Sequence, residues 1–120
     1  MLEKFIIIAI GGGFGSALRF AVSALIANSR FPAATFIVNI LGCFIIGLVS
    51  AYFNTHSNIS QNIKYLFTAG FCGGFTTFSA FSLENMNLIE KGDYLIFFSY
   101  VFSSVIFGIV AVFLGYYLIK

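Results

Sequence analysis

Charged side chains are so scarce in this chain, and so confined to the ends of its apolar runs, that water cannot be its only solvent. Only 8% of its 120 residues are Asp, Glu, Lys or Arg, while 60% are hydrophobic. A soluble domain carries about 25% charged residues to cover its surface. Four apolar runs, at about 2–27, 33–53, 63–89 and 94–119, fill most of the length. Each is near or above the roughly 20 residues needed to cross a bilayer. The expectation is one all-α domain over residues 1–120: four transmembrane helices in the cell membrane, with no room for a soluble domain. No run of Lys or Arg marks binding of nucleic acid or anionic lipid. The N-terminal run continues past the length of a signal peptide, and no small-residue cleavage site follows it.

The third run contradicts its own surroundings. Gly70–Ser82 reads GFCGGFTTFSAFS, with Gly70, Gly73 and Gly74, Thr76 and Thr77, and Ser79 and Ser82 set among four phenylalanines. Glycines and hydroxyls weaken a helix, and freed backbone groups inside a bilayer must find partners. Irregular backbone at that depth is tolerated only where protein or a water-filled cavity surrounds it. Broken helices of this kind place carbonyls and helix ends next to ions. The third helix is therefore predicted to break mid-membrane and to form an ion site.

The other runs supply candidate partners. Gly11, Gly12, Gly13 and Gly15 in the first run suit close helix approach, since the Lys and the strand–helix context of a phosphate loop are missing. Arg19 is either a functional intramembrane charge or a side chain snorkelling to the interface. Asn28–Phe31 reads as a polar turn, with Pro32 suited to the first turn of the next helix. In the second run Thr35 and Asn39 share a face that Gly42 and Cys43 continue. Asn39 would make an interhelical hydrogen bond or point an N–H into a pore. In the fourth run Tyr100, Ser104 and Gly108 recur every four residues, as a packed polar seam or a pore lining. Cys43 and Cys72 read as free buried thiols, and His56 falls in a polar loop without ligand partners. Gly92 and Asp93 read as a tight turn.

With four spans, Lys4, Lys64 and Lys120 lie on one side and Arg30 and Lys91 on the other. So small a bias lets a chain insert both ways. Two copies could then pair about an axis in the membrane plane, resembling the inverted repeats of larger transporters. Four helices enclose little polar volume alone, so an antiparallel, dual-topology homodimer is the expected assembly.

No catalytic constellation is present, which argues against an enzyme. The run interiors hold amides, hydroxyls, one arginine and aromatic rings but no Asp, Glu or Lys; Glu3 and Glu84 sit near run ends. Proton-coupled transport usually needs an embedded titratable group, so passive conduction is favoured. Hydroxyl and amide donors without carboxylates favour an anion. Phe78 and Phe81 are three apart and could turn positive ring edges toward it, although packing alone would also explain them. Carbonyls freed at Gly73–Thr76 could hold a cation, and N–H groups near Thr77–Ser79 could face an anion.

GGGFGSALRF, NILGCFIIG and GFCGGFTTFSAFSLE, in this order and over the whole chain, resemble the Fluc (CrcB) fluoride channels. The resemblance implies dual-topology homodimers with two antiparallel pores that passively export fluoride and confer fluoride resistance. It implies that Phe78, Phe81 and Asn39 line the anion pore, joined by Ser79, Thr77, Tyr100 and Ser104. Arg19 would stand near the vestibule. A structural sodium ion would be held at the dimer interface by backbone carbonyls of Gly73 and Thr76. Ala80 departs from the family motif, which usually has threonine there; Phe20 stands where an aromatic with a polar tip is common, and Gly108 where some members have a hydroxyl. The competing readings are a small dual-topology drug exporter, disfavoured because the first run has no embedded glutamate, and a non-conducting assembly subunit.

Overall fold

The structure, a computed structural model, describes residues 1–26 and 29–120. The expected reach of the first span to Ala27, and Asn28 of the polar turn, lie outside the described residues. Among the described residues six α-helices follow one another: α1 (Leu2–Leu25), α2 (Ala33–Thr55), α3 (Gln61–Tyr65), α4 (Gly73–Phe75), α5 (Phe78–Glu90) and α6 (Tyr94–Ile119). A π-helical segment, Leu66–Cys72, joins α3 to α4. Taken through its interruptions, Gln61–Glu90 is one of four stretches long and apolar enough to cross a membrane, with α1, α2 and α6.

The chain runs up and down, and polar contacts pin its two ends. At one end Asn62 Nδ2 donates to Glu3 (2.6 Å) and Asn54 Nδ2 to the Tyr116 hydroxyl (3.2 Å). At the other, Arg30 pairs with Asp93 at 2.5 Å. The turn between α5 and α6 closes there as the sequence predicts. Gly92, at φ 77, lets its own N–H reach the Ile89 carbonyl (3.0 Å) and the Asp93 N–H reach that of Leu88 (2.9 Å). This paired closure requires a left-handed residue that a side chain would strain.

Close backbone approach holds the helices together, as expected where lipid removes the hydrophobic drive for helix association. α2 lies against α6 through a reciprocal glycine contact. A Cβ on Gly47 would meet the Tyr116 N–H at 2.9 Å, and one on Gly115 would meet that of Leu48 at 3.0 Å. α1 lies against the π-helical segment and α4, where a Cβ on Gly15 would press on the Phe75 N–H at 2.8 Å and on the Phe71 carbonyl. The close-approach reading of the first run's glycines is thus met at Gly11 and Gly15, both buried, whereas Gly13 faces open space. Large apolar side chains such as Phe5, Phe14, Phe102 and Leu114 stay more than half exposed. In water that would be a liability; in a bilayer it is the lipid-facing surface.

Candidate functional site: the interrupted third span

Two threonines separate α4 from α5. Thr76 (φ −87, ψ 160) and Thr77 (φ −151, ψ 119) are extended, so the helical ladder stops and restarts. Each hydroxyl serves a helix end. Thr76 donates Oγ1 to the Cys72 carbonyl at 2.8 Å, doubling the bond its own N–H makes there at 3.1 Å. Thr77 is the N-cap of α5, its Oγ1 accepting from the Ala80 N–H at 3.1 Å. Such capping satisfies one of the orphan donors of a helix start.

Asn39 fastens the interruption to α2. Its Oδ1 accepts from the Thr77 N–H at 2.8 Å and its Nδ2 donates to the Thr77 carbonyl at 3.2 Å. The carboxamide thereby imitates a strand neighbour and satisfies both backbone groups of the extended residue. This is the interhelical bond the sequence allowed. The second Nδ2 hydrogen is left for another acceptor, because a carboxamide nitrogen carries two.

Beside the clamp lies a cavity of about 280 Å³, walled by Asn39 and Cys43 of α2, Thr76 and Thr77, Phe78 and Phe81 of α5, and Ser104 of α6. Most of the expected pore residues therefore converge. Ser104 Oγ is buried and, among the described residues, has no hydrogen-bond partner. The Phe78 and Phe81 rings stand 5.7 Å apart, and Phe78 is 78% exposed. Ser79 lies just outside the wall, its Oγ 3.3 Å from Thr77 Oγ1. No acidic or basic side chain lines this cavity among the described residues.

Tyr100 takes a different position from its neighbours in the expected track. It is fully buried under Phe81, ring centroids 4.9 Å apart, and its hydroxyl donates to Glu84 Oε1 at 2.7 Å. Thr35 Oγ1 donates to the other Glu84 oxygen at 2.6 Å. Sequence reasoning treated Glu84 as a helix-end residue, yet it is the acceptor that joins α2, α5 and α6. Its spacing was the available signal: residue 84 is three past Phe81 and shares its face. Cys43 was read as a buried thiol but forms part of the cavity wall, while Cys72 is buried as expected.

Arg19 reaches inward, its Nε donating to the Gly74 carbonyl at 3.1 Å, with Ser16 Oγ on the same oxygen at 3.4 Å. Both side chains satisfy a carbonyl next to the interruption. The Gly73 and Thr76 carbonyls lose their helical donors. The Thr77 N–H, four past Gly73, is taken by Asn39, and the Ala80 N–H, four past Thr76, by Thr77 Oγ1. Two hard oxygen donors without helical partners fit an alkali or alkaline-earth cation better than a soft metal.

This arrangement lies within a stretch shared by known proteins. The profile of the family described as CrcB-like protein, Camphor Resistance (CrcB), matches residues 6–116. A protein of Azobacteroides pseudotrichonymphae named fluoride-specific ion channel FluC is 48% identical, the match covering 98% of this chain and 97% of that one. Proteins of the same name from Flavobacterium psychrophilum and Phocaeicola vulgatus are 40% and 42% identical. Those matches cover 99% and 95% of this chain, and 98% and 96% of the relatives. On a match that takes in all four apolar spans and the interruption between α4 and α5, the chain belongs to the CrcB-like family.

Proposed function

We propose that the protein is a fluoride-selective channel that conducts the anion passively across the cell membrane and exports it, relieving fluoride toxicity. The observation that carries this reading is the cavity wall beside the interruption. It combines a carboxamide N–H, hydroxyls and two aromatic rings, without a carboxylate to repel an anion. A small, strongly hydrated anion needs such donors to replace its water. Relatives over the full length bear the name of fluoride channels, which supports the choice of anion. Fluoride enters cells as weakly acidic HF and ionises inside; the membrane potential then drives the anion out through a selective path.

In this reading two copies insert in opposite orientations and pair so that their interruptions meet mid-membrane. The exposed position of Gly73 supports a shared cation site there. The Gly73 and Thr76 carbonyls of each copy would hold a sodium ion, whose charge would fasten the two interrupted spans together. Phe78, Phe81, Asn39 and Ser104 would form the anion path, with Ser79 and Thr77 beside it. Tyr100 would support the Phe81 ring from below, and Arg19 would stand toward the vestibule.

The test is anion efflux from liposomes carrying the purified protein. Fast fluoride efflux with negligible chloride efflux is expected. A correctly folded protein that releases neither anion would refute the channel reading.

A further inference from the structure

The end of the molecule away from the cavity carries a feature the channel reading does not use. An apolar groove of about 510 Å³ opens between α2 and the start of the third span, walled by Leu48, Val49, Tyr52, Phe53, Ile63 and Phe67 among others. It runs on into a second apolar hollow of about 430 Å³ that shares Val49 and Phe67 and reaches Phe14 of α1 and Phe71. The groove mouth lies where α2 and α6 end and α3 begins. Tyr52, Tyr65, Tyr116 and Tyr117 gather at this end, as aromatic side chains do at a membrane interface.

Side-chain charge at this end is one-sided among the described residues. Lys64 directly follows the groove residue Ile63, and Lys120 directly follows Ile119, which also lines the groove. Neither lysine has an ion pair among the described residues, and the Lys120 ammonium lies over the Tyr116 and Tyr117 rings, 5.7 and 5.5 Å from their centroids. Lys4 lies at the same end, and Glu3, its one carboxylate side chain, is held by Asn62. The opposite end differs: Arg30 is paired with Asp93, and Lys91 directly follows Glu90. No lysine run exists in the sequence; the fold brings Ile63 and Ile119, each followed by a lysine, to the wall of one groove.

We propose that this groove holds an acyl chain of an anionic phospholipid, with the head group retained by Lys64 and Lys120. The apolar walls accept a hydrocarbon chain, and a lysine next to each of two wall residues, at interface level, selects the head.

The chain contains no tryptophan, so Phe67→Trp creates a single reporter inside the groove. The protein is reconstituted in phosphatidylcholine with a minority of either phosphatidylglycerol or phosphatidylcholine carrying brominated chains, which quench tryptophan on contact. Brominated phosphatidylglycerol is expected to quench more strongly at equal content, with an apparent preference of about fivefold per lysine. Lys64→Gln with Lys120→Gln should abolish that preference while fluoride efflux persists. Phe102→Trp, on the lipid-facing surface of α6, should show little preference. Phe53→Trp replaces the reporter if Phe67→Trp does not fold. Equal quenching by both lipids would overturn the proposal, since the groove would then meet only bulk lipid. So would no quenching by either, which would mean that another copy of the chain covers it, or a preference that survives the double lysine substitution.

Discussion

Asn39→Ala removes both hydrogen bonds that fasten the interruption to α2, at 2.8 and 3.2 Å. Interhelical hydrogen bonds in membranes average about 0.6 kcal/mol each, which gives ~1.2 kcal/mol for the pair. Thr77 is half-buried, so leaving its N–H and carbonyl without partners would cost toward the lower end of the ~1–3 kcal/mol of a fully buried group. The Thr77 N–H has an escape, because turning helical would return it to the Gly73 carbonyl. That relief would close the interruption and withdraw one of the two free carbonyls. The expected destabilisation is therefore about 2 kcal/mol, and fluoride efflux should fall far more than stability does. Asn39→Asp separates the two effects. It keeps the acceptor for the Thr77 N–H but sets a negative charge in the cavity wall. At a separation of ~5 Å and an effective dielectric of ~20, that charge would repel an anion by ~3 kcal/mol, or roughly two orders of magnitude in occupancy. The measurements are initial fluoride efflux from liposomes and denaturation monitored by circular dichroism. Wild-type efflux and stability in Asn39→Ala would refute the clamp, and wild-type efflux in Asn39→Asp would remove Asn39 from the anion path.

Gly15→Ala should destabilise the protein by ~1–3 kcal/mol by overpacking α1 against the π-helical segment, whereas Gly13→Ala, with nothing within 4 Å of its Cβ, should leave thermal unfolding unchanged or raise it slightly. Thr77→Val strips the N-cap of α5 and should cost about 1 kcal/mol with a loss of efflux; Thr77→Ser should restore both. Glu84→Ala strands the Thr35 and Tyr100 hydroxyls and should cost ~2–4 kcal/mol, while Glu84→Gln should be mild, because hydroxyls accept as well as donate and can follow the carboxamide. Exchange of sodium for a large organic cation should lower efflux or the dimer fraction on native electrophoresis; insensitivity of both would remove the cation from the Gly73 and Thr76 carbonyls.

What the chain determined by itself is its solvent, its spans and the location of its irregularity. Scarce charge forces four apolar helices into a bilayer, and no arrangement of the same residues would alter that. The glycines and hydroxyls of Gly70–Ser82 are local weaknesses, and local weakness is legible in order along the chain. The meeting of Asn39, Phe78, Phe81 and Ser104 was implied by the resemblance of the motifs, whereas spacing alone left packing open for each of them. The tertiary structure alone decided which partners those residues found. Asn39 spends its carboxamide on the backbone of Thr77, a pairing that depends on α2 standing beside the interruption. Glu84 looked peripheral because distance from a helix end is visible in sequence, whereas Thr35 and Tyr100 reach it only through packing. The π-helical segment Leu66–Cys72 is likewise invisible in sequence, and glycines of α1 bring its backbone against it. Ile63 and Ile119, with the lysines that follow them, came to one groove for the same reason. A sequence records what each helix lacks, and only the packing of helices records what supplies it.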